Sequence, residues 1–133
     1  MKLLFDTHVW VWAVEDPGRL GRRTRALLRD VINERSVCAV SVLEIARLVW
    51  SRDLTLQIPL TEWIAQSLED LRADSLPVTV EIALEAYRLP EPFHRDPADR
   101  QIVACARQHG LTVVTADERI LKWNHVAVLD ARK

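Results

Sequence analysis

Met1-Lys2-Leu3-Leu4-Phe5-Asp6-Thr7 opens the chain with an apolar run that closes on an acid. The segment 2–6 reads as a first β-strand. A short helix follows from Thr7 to about Val14 and is stopped by Asp16-Pro17-Gly18. The same pattern returns near the other end, where Leu111-Thr112-Val113-Val114-Thr115-Ala116-Asp117 is again an apolar strand closing on an acid. Between them strands and helices alternate. A helix from about Arg22 to Glu34 carries Thr24, Leu27, Leu28 and Val31 on one stripe. A strand at about 36–40 leads to a helix begun by Ser41, with Val42, Ile45, Ala46 and Val49 at inward spacing. Another helix starts near Pro59 and buries Leu60, Ile64, Leu68 and Leu71. A short strand at 76–78 and a helix over 79–88 precede a loop, and a helix opens at Pro97 and ends at Gly110, a good C′ residue. The strand 111–115, a short helix 117–123 and a strand 126–129 complete the chain.

This alternation predicts a parallel sheet with helices on both faces, an α/β class. The 133 residues suit a single domain, 1–133, with one core, and no repeat or linker interrupts them. With 49% hydrophobic and 28% charged residues, disorder is excluded. No apolar stretch is long enough to span a bilayer, so no membrane association is expected. The first residues hold one Lys, a short strand and an Asp, which is not a signal-peptide pattern, and the expected location is the cytoplasm. Cys38 and Cys105 match no zinc spacing and read as buried free thiols. Net charge is −1, and the cations are almost all arginine, the better bidentate phosphate ligand.

In a parallel sheet, the carboxyl ends of the strands and the starts of the following helices share one edge, where ligands bind. Asp6, Glu44, Asp99 and Asp117 all fall at such positions. Two carboxylates about 5 Å apart repel by roughly 3 kcal/mol at an effective dielectric near 20. A divalent cation relieves this, and hard oxygen ligands suit Mg²⁺ or Mn²⁺. Each acid also has a structural reading. Glu44 stands at capping-box spacing from Ser41, and Asp6 and Asp117 could cap the helices that follow them. Asp96 reads as an N-cap ahead of Pro97. Asp99 differs, because Asp99, Ile102, Val103 and Ala106 form one inward stripe, and an inward carboxylate needs a partner. The signal is the set, whose recurring use is metal-assisted phosphoryl transfer.

Arg95 and Arg100 flank the acidic loop and are placed to meet a phosphate, Arg100 at a helix start. Arg22, Arg25 and Arg29 share a helix face that reads first as solvated and second as a phosphate-backbone contact. His94 alone in a loop is a weak signal for substrate contact or proton transfer. Trp10, Trp12, Trp50 and Trp63 sit on expected helices, where core or interface packing is favoured over base stacking.

Four motifs in order resemble a known family: Asp6-Thr7-His8-Val9-Trp10, Ser41-Val42-Leu43-Glu44-Ile45, His94-Arg95-Asp96-Pro97-Ala98-Asp99-Arg100 and Val114-Thr115-Ala116-Asp117. The chain looks like a PIN-domain ribonuclease, closest to the VapC-like toxins of bacterial toxin–antitoxin pairs, over nearly its whole length. The resemblance implies a three-layer α/β/α sandwich with a central parallel sheet, and Mg²⁺- or Mn²⁺-dependent cleavage of RNA. It puts Asp6, Glu44, Asp99 and Asp117 at the family's acidic positions and Thr115 at a supporting hydroxyl position. It also implies a homodimer held by a small cognate antitoxin. One departure is Leu43, where many relatives have Trp.

Two other readings compete with a metal-dependent endoribonuclease. A metal-dependent phosphatase of the aspartyl-phosphate type wants an Asp two residues after the first, and here that residue is His8. A non-catalytic RNA- or protein-binding module would have a degenerate site, whereas all four acids are present.

Overall fold

A computed structural model describes residues 1–133. The elements are β1 (Lys2–Phe5), α1 (Thr7–Glu15), a 3₁₀ turn (Pro17–Arg19), α2 (Arg22–Arg29), β2 (Glu34–Cys38), α3 (Ala39–Trp50) and α4 (Leu60–Leu71). They continue with β3 (Ala73–Leu76), α5 (Val80–Glu85), α6 (Pro97–His109), β4 (Thr112–Thr115), α7 (Glu118–Leu121) and β5 (Val128–Asp130). All five strands are parallel, in the order β3-β2-β1-β4-β5.

Side chains alternate across a strand, and the two cores follow that alternation. Leu4 and Val113 face a layer built on α5 and α6 with Ile82, Ala86, Ile102, Val103 and Ala106. Leu3, Phe5, Val37 and Val114 face the other layer, with Val9, Trp10, Ile45 and Trp63 from α1, α3 and α4. The result is the α/β/α sandwich. Trp10 is fully buried and donates its indole N–H to Ser67 at 3.0 Å, so this large ring packs with its polar tip satisfied. Cys38 and Cys105 are buried and free.

Several boundaries differ from the sequence expectation; α5 ends at Glu85 rather than at 88, and α7 spans Glu118–Leu121 rather than 117–123. α2 ends at Arg29, not near Glu34. Asn33 Nδ2 donates to the Leu27 carbonyl and Arg35 Nη1 to the Leu28 carbonyl, so side chains take the acceptors that a further turn would use. Val31, placed on the inward stripe by periodicity, is therefore exposed. Strand β2 correspondingly runs over 34–38 rather than 36–40. α3 begins at Ala39, with Cys38 as an N-cap that makes no side-chain bond. Ser41 lies inside the helix and buried, so the Ser41–Glu44 capping box does not form. β3 lies at 73–76 and β5 at 128–130, both displaced from the expected 76–78 and 126–129.

The strand order places the site. From β1 the chain first builds outward through β2 and β3, then returns to the other side of β1 with β4 and β5. The order therefore reverses between β1 and β4, and such a switch point leaves a crevice at the carboxyl ends of the two strands. Asp6 directly follows β1, and Thr115 closes β4. At the far side, the C-terminal segment crosses the start of α2. Gly21 is required there, because a Cβ would come within 2.1 Å of the Lys133 backbone.

Candidate active site

A cleft of about 540 Å³ opens at this switch point, and Asp6, Glu44, Asp96, Asp99 and Asp117 all line it. Its wall also holds Glu15, Asp16 and Asp53, opposed by only two guanidiniums, Arg19 and Arg119. Eight carboxylates around one cleft repel one another and repel any polyanion unless cations enter.

Asp6 is buried at the end of β1 and is held by two bonds. Its Oδ1 accepts from the Thr7 N–H at 2.8 Å, so it caps α1, and its Oδ2 accepts from Thr115 Oγ1 at 2.7 Å. The same Thr115 hydroxyl accepts from the Asp117 N–H at 3.0 Å. Thr115 thus links the acid after β1 to the acid after β4. Glu44 reaches the cleft from the second turn of α3, where its Oε1 accepts from Thr7 Oγ1. Thr7 Oγ1 also lies 2.8 Å from the buried Ser41 Oγ. Burial pushes the Glu44 carboxyl up from the usual range, against the Thr7 bond, and the charges of Asp6 and Asp96 add to the rise.

Asp99 stands in the first turn of α6 and is 7% exposed. Burial pushes its carboxyl up to about 6, with the negative charges of Asp6 and Asp96 adding to it and the hydrogen bond to His94 opposing it. His94 Nε2 lies 2.6 Å from Asp99 Oδ2, while Nδ1 of the same ring is buried with no partner. Asp96 caps α6 by accepting from the Ala98 and Asp99 N–H groups at 2.9 and 3.1 Å. Asp117 caps α7 and is clamped by Arg119, whose Nε and Nη2 lie 3.1 and 2.9 Å from its two oxygens. That hydrogen bonding holds the Asp117 carboxyl below its usual range.

Arg100 does not face the cleft. Its side chain is buried and donates to the carbonyls of His94 at 2.9 Å, Ala86 at 3.1 Å and Phe93 at 2.8 Å, and to Glu91 at 3.3 Å. With its donors taken by the 86–94 segment, the guanidinium is not available to a phosphate, and the expected RNA contact is replaced by a structural role. Arg100 ties the loop to α6 and so sets His94 against Asp99. Arg95 is exposed and lies outside the cleft wall. Arg22, Arg25 and Arg29 are exposed on α2.

Four residues of the site escaped the sequence reading. Thr7 and Ser41 carry Glu44. His8 lines the cleft, accepts the Ala116 N–H on Nε2 at 2.9 Å, and has its pKa lowered by burial. Arg119 joins two of the acids. For His94 the signal was its place five residues before Asp99, and for Arg119 its place two after Asp117, where a side chain folds back on a capping carboxylate. Asp130 and Arg132 pair across the same interval.

The donor set fits a hard divalent cation. His94, Asp99 and Asp117 each present a ligand atom within 4.8 Å of the others, and Asp6 and Glu44 supply further oxygen on the same cleft. Oxygen-rich sets with one imidazole and no thiolate match Mg²⁺ and Mn²⁺. A cation would also remove the burial cost that lifts Asp99.

Four carboxylates from separate elements gather at the switch point of a parallel α/β/α sandwich, and comparison with known proteins gives the class. The PIN domain family model matches residues 3–127. The ribonuclease VapC22 of Mycobacterium tuberculosis (strain ATCC 25618 / H37Rv) is 35% identical over 123 residues, 92% of each chain. The chain therefore belongs to the PIN-domain family. Solved structures share the fold. VapBC2 from Rickettsia felis, bound to a DNA fragment from their promoter, matches with TM-score 0.67 at 14% identity, over 97% of this chain and 98% of that one. FitAcB from Neisseria gonorrhoeae matches with TM-score 0.64 at 24% identity, over 97% of both chains.

Proposed function

We propose that this chain is a metal-dependent endoribonuclease and the toxin half of a type II toxin–antitoxin pair. The observation that carries the reading is the convergence of Asp6, Glu44, Asp99 and Asp117 in one cleft, each held by its own hydrogen-bond partner. Membership of the PIN family and likeness to a ribonuclease over most of both chains support it.

In this reading Asp6, Asp99, Asp117 and Glu44 would hold Mg²⁺ or Mn²⁺. The ion supplies charge neutralisation at the phosphate and an acidified water. The protein's part is orientation. Thr115 fixes the spacing of Asp6 and Asp117, His94 fixes the rotamer of Asp99, and Thr7 aims Glu44 at the cleft. Such pre-set geometry spares the site reorganisation when charge develops on the phosphate. Of the two rival chemistries, the phosphatase lacks its second acid because His8 stands there, and a degenerate site would not keep all four carboxylates held.

The partners in this reading are RNA, a small cognate antitoxin and a second copy of the chain. The antitoxin is supported by the toxin–antitoxin complexes among structures of the same fold. Leu43 and Trp50 on α3 are 69% and 85% exposed, apolar surface of the kind protein interfaces cover. No helix is long and apolar enough to cross a membrane, and the reading places the protein in the cytoplasm with its RNA.

Sequencing of RNA 5′ ends after brief induction in cells tests the proposal. New ends at defined sites are expected with the wild type and not with Asp99→Asn. Identical end profiles from the two proteins would overturn it.

A further inference from the structure

Arg119 occupies the oxygens that a cation would need. Its Nη2 lies 2.9 Å from Asp117 Oδ2 and 3.6 Å from Asp99 Oδ2, bridging a carboxylate at the start of α7 to one on α6. Local geometry explains only half of this. Arg132 folds onto Asp130 across the same two-residue interval, with Nε and Nη2 at 2.9 and 2.8 Å, so the clamp on Asp117 alone would be an ordinary feature of the backbone there. The approach to Asp99 is different in kind. It joins α7 to α6 across the intervening β4, it ends on a carboxylate that is 7% exposed, and it uses the oxygen that His94 also touches.

The same two carboxylates belong to the group whose ligand atoms lie within 4.8 Å of one another. A guanidinium and a divalent ion cannot both hold them closely. The Arg119 side chain is 59% exposed, so it can leave the acids for the mouth of the cleft without unpacking the core. Once there, it is an unpaired guanidinium on the wall of a cleft proposed to take RNA, and its planar fork matches two oxygens of a phosphodiester.

Resting on the ribonuclease reading, we propose that Arg119 is a displaceable internal cation: it neutralises Asp117 and Asp99 in the metal-free protein, yields them to the metal, and then binds a phosphate of the RNA. It is a positioning residue that makes the acidic cleft tolerable when empty and attractive to a polyanion when loaded. Metal and RNA binding are thereby coupled through one side chain.

Two titrations on the purified full chain test this without reading cleavage. Mn²⁺ affinity is measured for the wild type, Arg119→Gln and Arg119→Lys in the absence of RNA. Affinity for a short mixed-sequence fluorescent RNA is then measured with Ca²⁺ replacing the catalytic metal. Arg119→Gln is expected to bind Mn²⁺ roughly threefold to tenfold more tightly and RNA weaker by a similar factor, since one partly exposed charge pair is removed in each state. Arg119→Lys keeps the charge and should recover part of the RNA affinity. Failure of the wild type to bind Mn²⁺ at all would overturn the metal reading, and this inference with it. Normal wild-type binding with unchanged or weaker Mn²⁺ affinity in Arg119→Gln would overturn the inference alone, as would unchanged RNA affinity.

Discussion

Asp99 shows how a single side chain carries both the strain and the purpose of this site. Its carboxyl, ordinarily near 3.8, is pushed to about 6 by burial. A raised acid binds more protons folded than unfolded between those values, so its contribution to stability is lost as pH rises through them. Asp99→Asn removes the effect while keeping an oxygen for His94. In EDTA the mutant should be more stable than wild type by on the order of 1–3 kcal/mol near pH 8, with the gap closing toward pH 4. His8, lowered by burial, works with the opposite sign in both proteins and cancels in the difference. Denaturant titrations of the pair at several pH values check this; a gap that does not change with pH would mean that Asp99 is not the strained group. Arg100 gives the contrasting case. Adjacent to Asp99 in sequence, it looked like a phosphate ligand, yet its donors are spent on the 86–94 loop. Arg100→Ala should therefore lower stability by about 2–4 kcal/mol, because three carbonyls lose a charged donor. A melting temperature equal to wild type would return Arg100 to the list of substrate ligands. Sequence could place a residue on a helix start but could not say which way an arginine turns.

At the scale of elements, the parts most legible in sequence were those written in local chemistry. α6 begins with Asp96 as cap and Pro97 at its first position, and ends at Gly110 with φ 64°, all as the residue types require. Periodicity misplaces the ends of α2 and α3, because the contacts that decide them are not periodic. Val31 continues the spacing of Leu27 and Leu28, but Asn33 and Arg35 take the carbonyls of the last turn. Ser41 has the look of a cap, but its hydroxyl is paired with Thr7 across 34 residues. The cap on α6 is separable from its chemistry. Asp96→Asn should leave stability within about 0.5 kcal/mol of wild type, and Asp96→Ala should cost about 1 kcal/mol. Equal melting of Asp96→Ala and wild type would mean that the bonds to Ala98 and Asp99 do not hold the helix start.

For the whole molecule, the class of fold follows from alternation, because strand, helix and strand force parallel pairing. The order β3-β2-β1-β4-β5 does not follow from alternation, since every strand is short and alternation does not say which strands lie side by side. That order is what sets β1 beside β4 and brings Asp6 to Asp117 through Thr115. Asp6, Asp99 and Asp117 were legible because each follows a strand or opens a helix on one edge, whereas Glu44 lies one turn deeper in α3 than a helix begun at Ser41 would put it. Their partners Thr7, Ser41, His8 and Arg119 were not, because each is defined by a neighbour distant in sequence or by a rotamer. The central claim is that this convergence of acids cuts RNA only through a divalent cation. The most direct test incubates the purified chain with RNA in excess EDTA, then restores Mg²⁺ or Mn²⁺. The expected result is no cleavage in EDTA, recovery with either metal, and none at any metal concentration near the wild-type requirement for Asp99→Asn; equal cleavage with and without EDTA would contradict the claim.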